Sequence, residues 1–130
     1  MFLSKSDPVA LPKGQNSAVS LISQTFSVSA PSVIDVIACI SVSFSNSDGS
    51  PGGNGVDACN FYVSVTGASQ SEPTVLSPAL PQSGYGGVVP VSVLYSAVVS
   101  SGEVTVSVWG FSQDGGKAVA TSRSLLVNSK

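Results

Sequence analysis

Apolar residues recur at every second position along most of the chain after residue 19. The clearest example is VIDVIACISVSFS (33–45), where one face carries Ile34, Val36, Ala38, Ile40, Val42 and Phe44. A period of two is that of a β-strand, whose side chains point alternately to opposite faces. Residues 33–40 are apolar on both faces, so we expect this half of the strand to be covered on both sides.

Other segments fit the same description, namely LISQTFSV (21–28), NFYVSVTG (60–67), VVPVSVLYSAVV (88–99), EVTVSVWG (103–110) and KAVATSRSLLV (117–127). No segment shows a helical period sustained over ten residues. Pro90 cannot donate to a sheet ladder and favours an edge strand or a bulge. The pattern predicts an all-β fold in which residues 19–130 form a single antiparallel β-sandwich domain.

The first eighteen residues follow neither period, because Pro8, Pro12 and Gly14 break helix and strand alike. The segment therefore lacks the pattern needed to join the sandwich. We predict that residues 1–18 form an extended N-terminal arm. Its apolar residues, Phe2 and Leu3 among them, are candidates for contacts with a neighbouring subunit.

Composition and charge exclude several classes of partner. The chain has 130 residues with 27 Ser and 21 Val, and only 9% of its residues are charged. Residues 14–116 contain no Lys or Arg, so the chain has too few cations to bind nucleic acid or an anionic membrane. No apolar stretch after MFLSK suits a signal peptide, and prolines interrupt the longest charge-free run, so we expect neither a leader nor a membrane-spanning helix.

The chemistry available for catalysis is also restricted. Histidine is absent, which removes the usual general base and the commonest metal ligand, so we expect no enzyme activity and no cofactor. Cys39 and Cys59 are expected to be free thiols, made in a reducing compartment such as a host cytoplasm. The loop NSDGSPGGNGVDA (46–58) offers oxygen donors for Ca²⁺, but it lacks the EF-hand spacing and is expected to be an Asx-rich turn without metal.

Three aromatic residues are candidates for contacts. By strict alternation Trp109 shares a face with Phe111 and points away from the predicted core, which would make a contact patch for a partner subunit or a sugar ring. In the other interpretation both faces of this end of the strand are buried, or Gly110 bulges the strand and turns the indole into the core. Tyr85, in the glycine-rich SGYGG, is either an exposed turn residue or a recognition contact.

The last quarter of the chain, GEVTVSVWGFSQDGGKAVATSRSLLV (102–127), predicts two strands joined by a tight turn at residues 113–116. This stretch resembles the closing hairpin of immunoglobulin-like and fibronectin-type-III-like modules. Among proteins with such modules, the chain is similar to small structural proteins of bacteriophage virions. The resemblance implies an immunoglobulin-like sandwich.

The resemblance also implies a non-enzymatic structural subunit of a symmetric assembly, namely a capsid, decoration or tail protein of a phage virion. Its partners would be copies of itself and other virion proteins. The alternative is a carbohydrate- or receptor-binding module of an adhesin or tail fibre, whose ligand would be a host-surface glycan. The sequence leaves both functions open.

Overall fold

The computed structural model describes residues 1–44, 56–66, 79–82, 88–112 and 118–129. Apart from a single 3-10 turn at Gln15–Ser17, the elements of this part of the chain are strands. They are β1 (Phe2–Lys5), β2 (Val9–Ala10), β3 (Val19–Val28), β4 (Ser32–Phe44), β5 (Val56–Val65), β6 (Ala79–Gln82), β7 (Val88–Val99), β8 (Gly102–Ser112) and β9 (Ala118–Ser129).

The strands form two antiparallel sheets. The first sheet has the order β1-β9-β4-β7, with β2 also paired to β9, and the second has the order β3-β8-β5-β6. The prediction of an all-β antiparallel sandwich is confirmed. Pro90 lies in β7, which is an edge strand of the first sheet, as its missing N–H led us to expect.

The pairing of the strands is nested. The two N-terminal strands pair with β9, and the successive inner pairs are β3 with β8, β4 with β7 and β5 with β6. Eight strands wound in this way, with β1 and β2 counted as one interrupted strand, make a jelly roll. An immunoglobulin module instead keeps its last two strands together in one sheet.

The predicted closing hairpin is therefore wrong. β8 pairs with β3 and β5 in the second sheet, whereas β9 pairs with β1, β2 and β4 in the first. The chain crosses from one sheet to the other between these two strands. A turn-forming sequence fixes only a local change of chain direction and not which strands pair. Residues 113–117, which include the predicted turn, lie outside the described part of the chain.

The core lies between the two sheets and is built from the inward positions of the long strands. Val104, Val106 and Val108 are fully buried, as the alternation of β8 predicts, and Phe61 is among the largest fully buried side chains. Gly110 continues the inward face of β8. A Cβ at this position would lie 2.9 Å from Leu21 Cδ1 and 3.1 Å from Phe61 Cδ1, so only glycine fits without displacement of the core.

The N-terminal segment is part of this sandwich. β1 and β2 pair with β9 along its free edge, and Leu11 is fully buried in the core. The expectation that this segment has no place in the sandwich is wrong. Its prolines divide it into pieces too short to show a period, but backbone pairing with an edge strand requires no period.

Two β-bulges lie in β3 and β9. In β3 the extra residue is Leu21, which allows both Leu21 and Ile22 to be buried. In β9 the register shifts between Ala120 and Arg123, which puts Ala120 on the same buried side as Arg123 and Leu125. The bulge expected at Gly110 is thus on the neighbouring strand β3.

Candidate functional site

The outer face of the first sheet carries a row of apolar side chains. Phe2, Leu126, Ile37 and Leu94 come from β1, β9, β4 and β7, and each is the register partner of the next. Phe2 is 66% exposed and Leu94 is 71% exposed, while Ile37 and Leu126 between them are partly covered. We call these four residues the apolar row.

Val33 and Val98, which are register partners, extend the apolar character of the same face. Of the large hydrophobic side chains that are exposed in the described residues, Met1 is the one that does not belong to this face. The prediction that residues 33–40 are covered on both sides is wrong within one chain, because Val33 is 39% exposed and Ile37 is 36% exposed. The outer side of β4 has an apolar surface that the chain itself leaves open.

Polar residues border the apolar row on both sides. On one side Ser96 donates a hydrogen bond of 2.6 Å to the Asp35 carboxylate. On the other side the sheet forms a cleft of about 450 Å³, which we call the serine cleft. Each strand contributes one lining residue that is two positions from its member of the apolar row, namely Ser4, Ser124, Cys39 and Ser92. The cleft is also lined by Lys5, Ser6, Ser41 and Ser122.

The outer face of the second sheet has a different composition. It is covered largely by hydroxyl side chains that bond across strands, with Ser23 Oγ 2.9 Å from Ser107 Oγ and Thr25 Oγ1 2.9 Å from Thr105 Oγ1. In each pair one hydroxyl donates to the other across the strands. The two faces therefore differ: the first carries a row of large apolar side chains beside the serine cleft, and the second is hydroxyl-rich.

An aromatic pair lies on this hydroxyl-rich face. Trp109 and Tyr62 are register partners on β8 and β5, with ring centroids 6.2 Å apart and ring planes within 9° of parallel. The Trp109 indole N–H donates a 2.8 Å hydrogen bond to Ser64 Oγ on β5. The ring is half-buried and points outward, so the interpretation that turned it into the core is wrong.

The other predicted contact residues are placed as follows. Phe111 shares the outward side with Trp109 but is only 7% exposed, and Leu3 is half-buried against the core. Tyr85 lies outside the described residues. The structure thus brings Trp109 together with Tyr62 rather than with an exposed Phe111, and Tyr62 could have been found only by knowing which strand pairs with β8.

A buried arginine joins the N-terminal segment to both sheets. Arg123 is 3% exposed. Its Nε donates to the Leu21 carbonyl at 2.8 Å, and its Nη1 donates to the carbonyls of Thr121 and Asp7. Its Nη2 donates to the Asp7 carboxylate at 3.0 Å, and that carboxylate is largely exposed. One guanidinium therefore fixes β3, the bulge of β9 and the turn between β1 and β2.

This arrangement predicts how stability depends on pH. The hydrogen bond from Arg123 holds the pKa of Asp7 below its ordinary value of 3.8. A carboxyl whose pKa is depressed in the folded state stabilises the fold fully at pH values above its unfolded-state pKa. This contribution is lost as the pH falls from the unfolded-state pKa through the folded-state pKa. We expect thermal melts to be flat between about pH 6 and 8, where no imidazole titrates, and to decline below about pH 4. Asp7→Asn should remove part of the acid decline, and an unchanged decline would contradict this assignment.

Both cysteines are free thiols, as predicted, with Cys39 exposed in the serine cleft and Cys59 buried in the core. The described residues hold no group of three or more His, Cys, Asp or Glu side chains that could bind a metal ion. Of the loop considered for Ca²⁺, residues 46–55 lie outside the described part of the chain. No helix in the described ranges is long and apolar enough to cross a membrane.

Comparison with known proteins gives a likeness in structure only. No protein-family model and no curated protein sequence matches the chain. It is similar in structure to a chain of infectious bursal disease virus, Gx strain, with a TM-score of 0.48 and 11% identity over 98% of this chain and 31% of that one. It is also similar to a chain of the VP2 subviral particle of that virus, with a TM-score of 0.46 and 11% identity over 98% of this chain and 32% of that one. A structure described as CBM4 is also similar (TM-score 0.34, 12% identity, 99% of this chain and 94% of that one). The chain spans about a third of the length of the viral chains.

Proposed function

We propose that this protein is a non-enzymatic structural subunit of a symmetric assembly. The observation that carries the proposal is the open apolar face of the first sheet, where Phe2 and Leu94 expose about two-thirds of their surface. A contiguous exposed apolar surface with a polar border is typical of a protein–protein contact. On the second sheet, by contrast, Ser23 and Thr25 bond to Ser107 and Thr105 across the strands.

We further propose that the assembly is a bacteriophage virion, in which the chain is a capsid, decoration or tail protein. The support for this finer statement is the sequence resemblance together with the scarcity of cations between residues 14 and 116. A subunit that contacts other proteins, and not nucleic acid or lipid, has no need of a basic surface.

The assembly role is tested by making the apolar face polar. Leu94→Ser combined with Phe2→Ser should weaken self-association at least tenfold, because each side chain contributes about 1.5–3 kcal/mol when fully buried. The measurement is particle mass against concentration by analytical ultracentrifugation. The melting temperature should change little, since both residues are exposed in the single chain.

Asn128→Ser, an exposed polar change near the border of the same face, is the matched control and should assemble like the unmodified protein. A chain that remains monomeric at every concentration, alone and with its virion partners, would overturn the proposal.

A second candidate function is carbohydrate binding, and the aromatic pair on the second sheet favours it. A sugar ring can lie on an aromatic face while neighbouring hydroxyls bind its polar groups. Ser64 supplies such a hydroxyl beside Trp109. Among the described side chains of β3, β5 and β8, Glu103 is the one that carries a charge. It lies about 20 Å along β8 from Trp109. Because none of these described side chains places a charge near the aromatic pair, the ligand would be neutral.

Trp109→Ala separates the two functions. The variant should lose only about 1–2 kcal/mol of unfolding free energy, because the residue is half-buried and contributes a ring contact and one hydrogen bond. Tyr62→Phe, which keeps the ring, is the control. On a glycan array, a signal that disappears in Trp109→Ala but not in Tyr62→Phe would establish the carbohydrate function, whereas no signal for the unmodified protein would exclude it for the glycans presented.

A further inference from the structure

The apolar row and the serine cleft are parallel to each other across the whole first sheet. In each of the four strands the row residue and the cleft residue are two positions apart, as in Ile37 and Cys39 of β4 or Leu94 and Ser92 of β7. Two residues along a strand correspond to about 6.7 Å. A ridge of large side chains thus lies directly beside a trough lined by small ones on the same face.

We infer that this face binds the same face of a second copy, with the apolar row of each copy seated in the serine cleft of the other. The inference deepens the proposed structural role and rests on it. The two copies would be related by a two-fold axis that lies in the plane of the interface, perpendicular to the strands and midway between the row and the cleft. Rotation about this axis places the apolar row of each copy over the serine cleft of the other in all four strands. Ile37 of one copy then lies over Cys39 of the other, and Leu94 lies over Ser92.

The size of the face fits a specific but modest interface. The face is four strands wide, at about 4.8 Å per strand, and about nine residues long, at about 3.4 Å per residue, which gives roughly 600 Å² per copy. The total of about 1,200 Å² for two copies reaches the range of area buried in specific protein–protein complexes. Seating the row would also expel water from the 450 Å³ cleft, where each water occupies about 30 Å³.

The charges on this face favour the same arrangement. Asp35 lies two residues beyond Ile37 on the side away from the cleft, and Lys5 lines the cleft. The proposed axis places Asp35 of each copy over Ser41 of the other, and Lys5, which lines the same cleft, lies on β1, two strands away from β4. An axis parallel to the strands would instead stack row upon row and bring the two Asp35 carboxylates near each other, where like charges repel.

Spin labels on β4 distinguish these arrangements. Val33 and Ser43 are ten residues apart on the outer side of β4, so the proposed axis brings Val33 of one copy near Ser43 of the other. With Cys39→Ser as the background, Val33→Cys labelled alone should give an inter-copy distance of about 33 Å. A mixture of labelled Val33→Cys and labelled Ser43→Cys should add a distance of about 10–15 Å, which is the spacing of packed sheets plus their twist.

The native Cys39 thiol gives a second measurement that needs no substitution. Cys39 is exposed in the single chain, and Ile37 of the second copy should cover it. Its rate of reaction with a thiol reagent should fall at least tenfold as the protein concentration is raised through the range in which particle mass increases. Cys59, which is buried in the single chain, should react slowly throughout.

The outcomes separate this inference from the proposed function. If mass increases with concentration while Cys39 stays equally reactive, or while two Val33 labels approach within about 15 Å, the chain assembles by another contact. The face-to-face inference is then overturned and the structural role stands. If the chain assembles only with a different protein on this face, the inference is likewise overturned. If no assembly forms, the proposed function and the inference both fail.

Discussion

Removing residues 1–13 is expected to unfold the protein rather than to release a stable sandwich. The truncation deletes β1, β2 and the fully buried Leu11, and it leaves Arg123 without Asp7. Loss of a buried Leu side chain alone costs about 2–5 kcal/mol, which is comparable with the total stability of a typical domain, about 5–15 kcal/mol. Circular dichroism and urea unfolding of the truncated chain measure the effect directly.

Leu11→Ala in the full chain isolates the contribution of packing, and Lys13→Ala, an exposed change two residues away, is its control. We expect the first variant to unfold at a lower urea concentration and the second to match the unmodified protein. A truncated chain that melts as cooperatively and at the same temperature as the full one would show that the N-terminal strands add nothing to the fold.

Arg123→Met should destabilise the protein by about 2–4 kcal/mol, because it leaves the buried carbonyl of Leu21 and the partly buried carbonyl of Thr121 without this donor. Met keeps the length and the apolar part of the side chain, so the change tests the guanidinium itself. Arg123→Lys should recover part of the loss at most, since an ammonium group cannot reproduce the planar fork of donors that contacts three elements. Chemical unfolding at neutral pH is the measurement.

The control for Arg123 is Asp7→Asn. That change removes the ion pair but keeps the Asp7 carbonyl that Arg123 also contacts. Because the Asp7 carboxylate is largely exposed, we expect only a small loss of stability at pH 7, well below that of Arg123→Met. An Asp7→Asn variant as unstable as Arg123→Met would mean that the ion pair, and not the bonds to buried carbonyls, provides the stabilisation.

The sequence was sufficient to predict the six long strands and their inward faces, but not β1, β2 and β6 and not how the strands pair. Val104, Val106 and Val108 alternate with polar residues, and burial of one face follows directly from that period. The pairing of β8 with β3 and of β9 with β1 depends on contacts between residues 74 to 124 positions apart, which no local pattern encodes. The turn sequence near residue 114 therefore led to a hairpin that the protein does not form.

The candidate surfaces were only partly predictable for the same reason. Trp109 could be singled out as an outward residue from the alternation of β8 alone. Its stacking partner Tyr62, and the alignment of Phe2 with Ile37, exist because of the register of neighbouring strands. The two bulges add a further effect, because a single extra residue such as Leu21 changes which side chains face inward beyond it.

The nested pairing also fixes when the protein can fold. β1 is synthesised first and β9 is synthesised about 120 residues later, yet these strands are neighbours in the first sheet. At about 5–20 residues per second the ribosome needs roughly 6–24 s to bridge that interval. Until then the valine-rich β4 has only one of its two neighbouring strands, β7, available for pairing. Completion of the first sheet therefore waits for β9 and is limited by long-range closure, and the unpaired edge of β4 is open to aggregation until then.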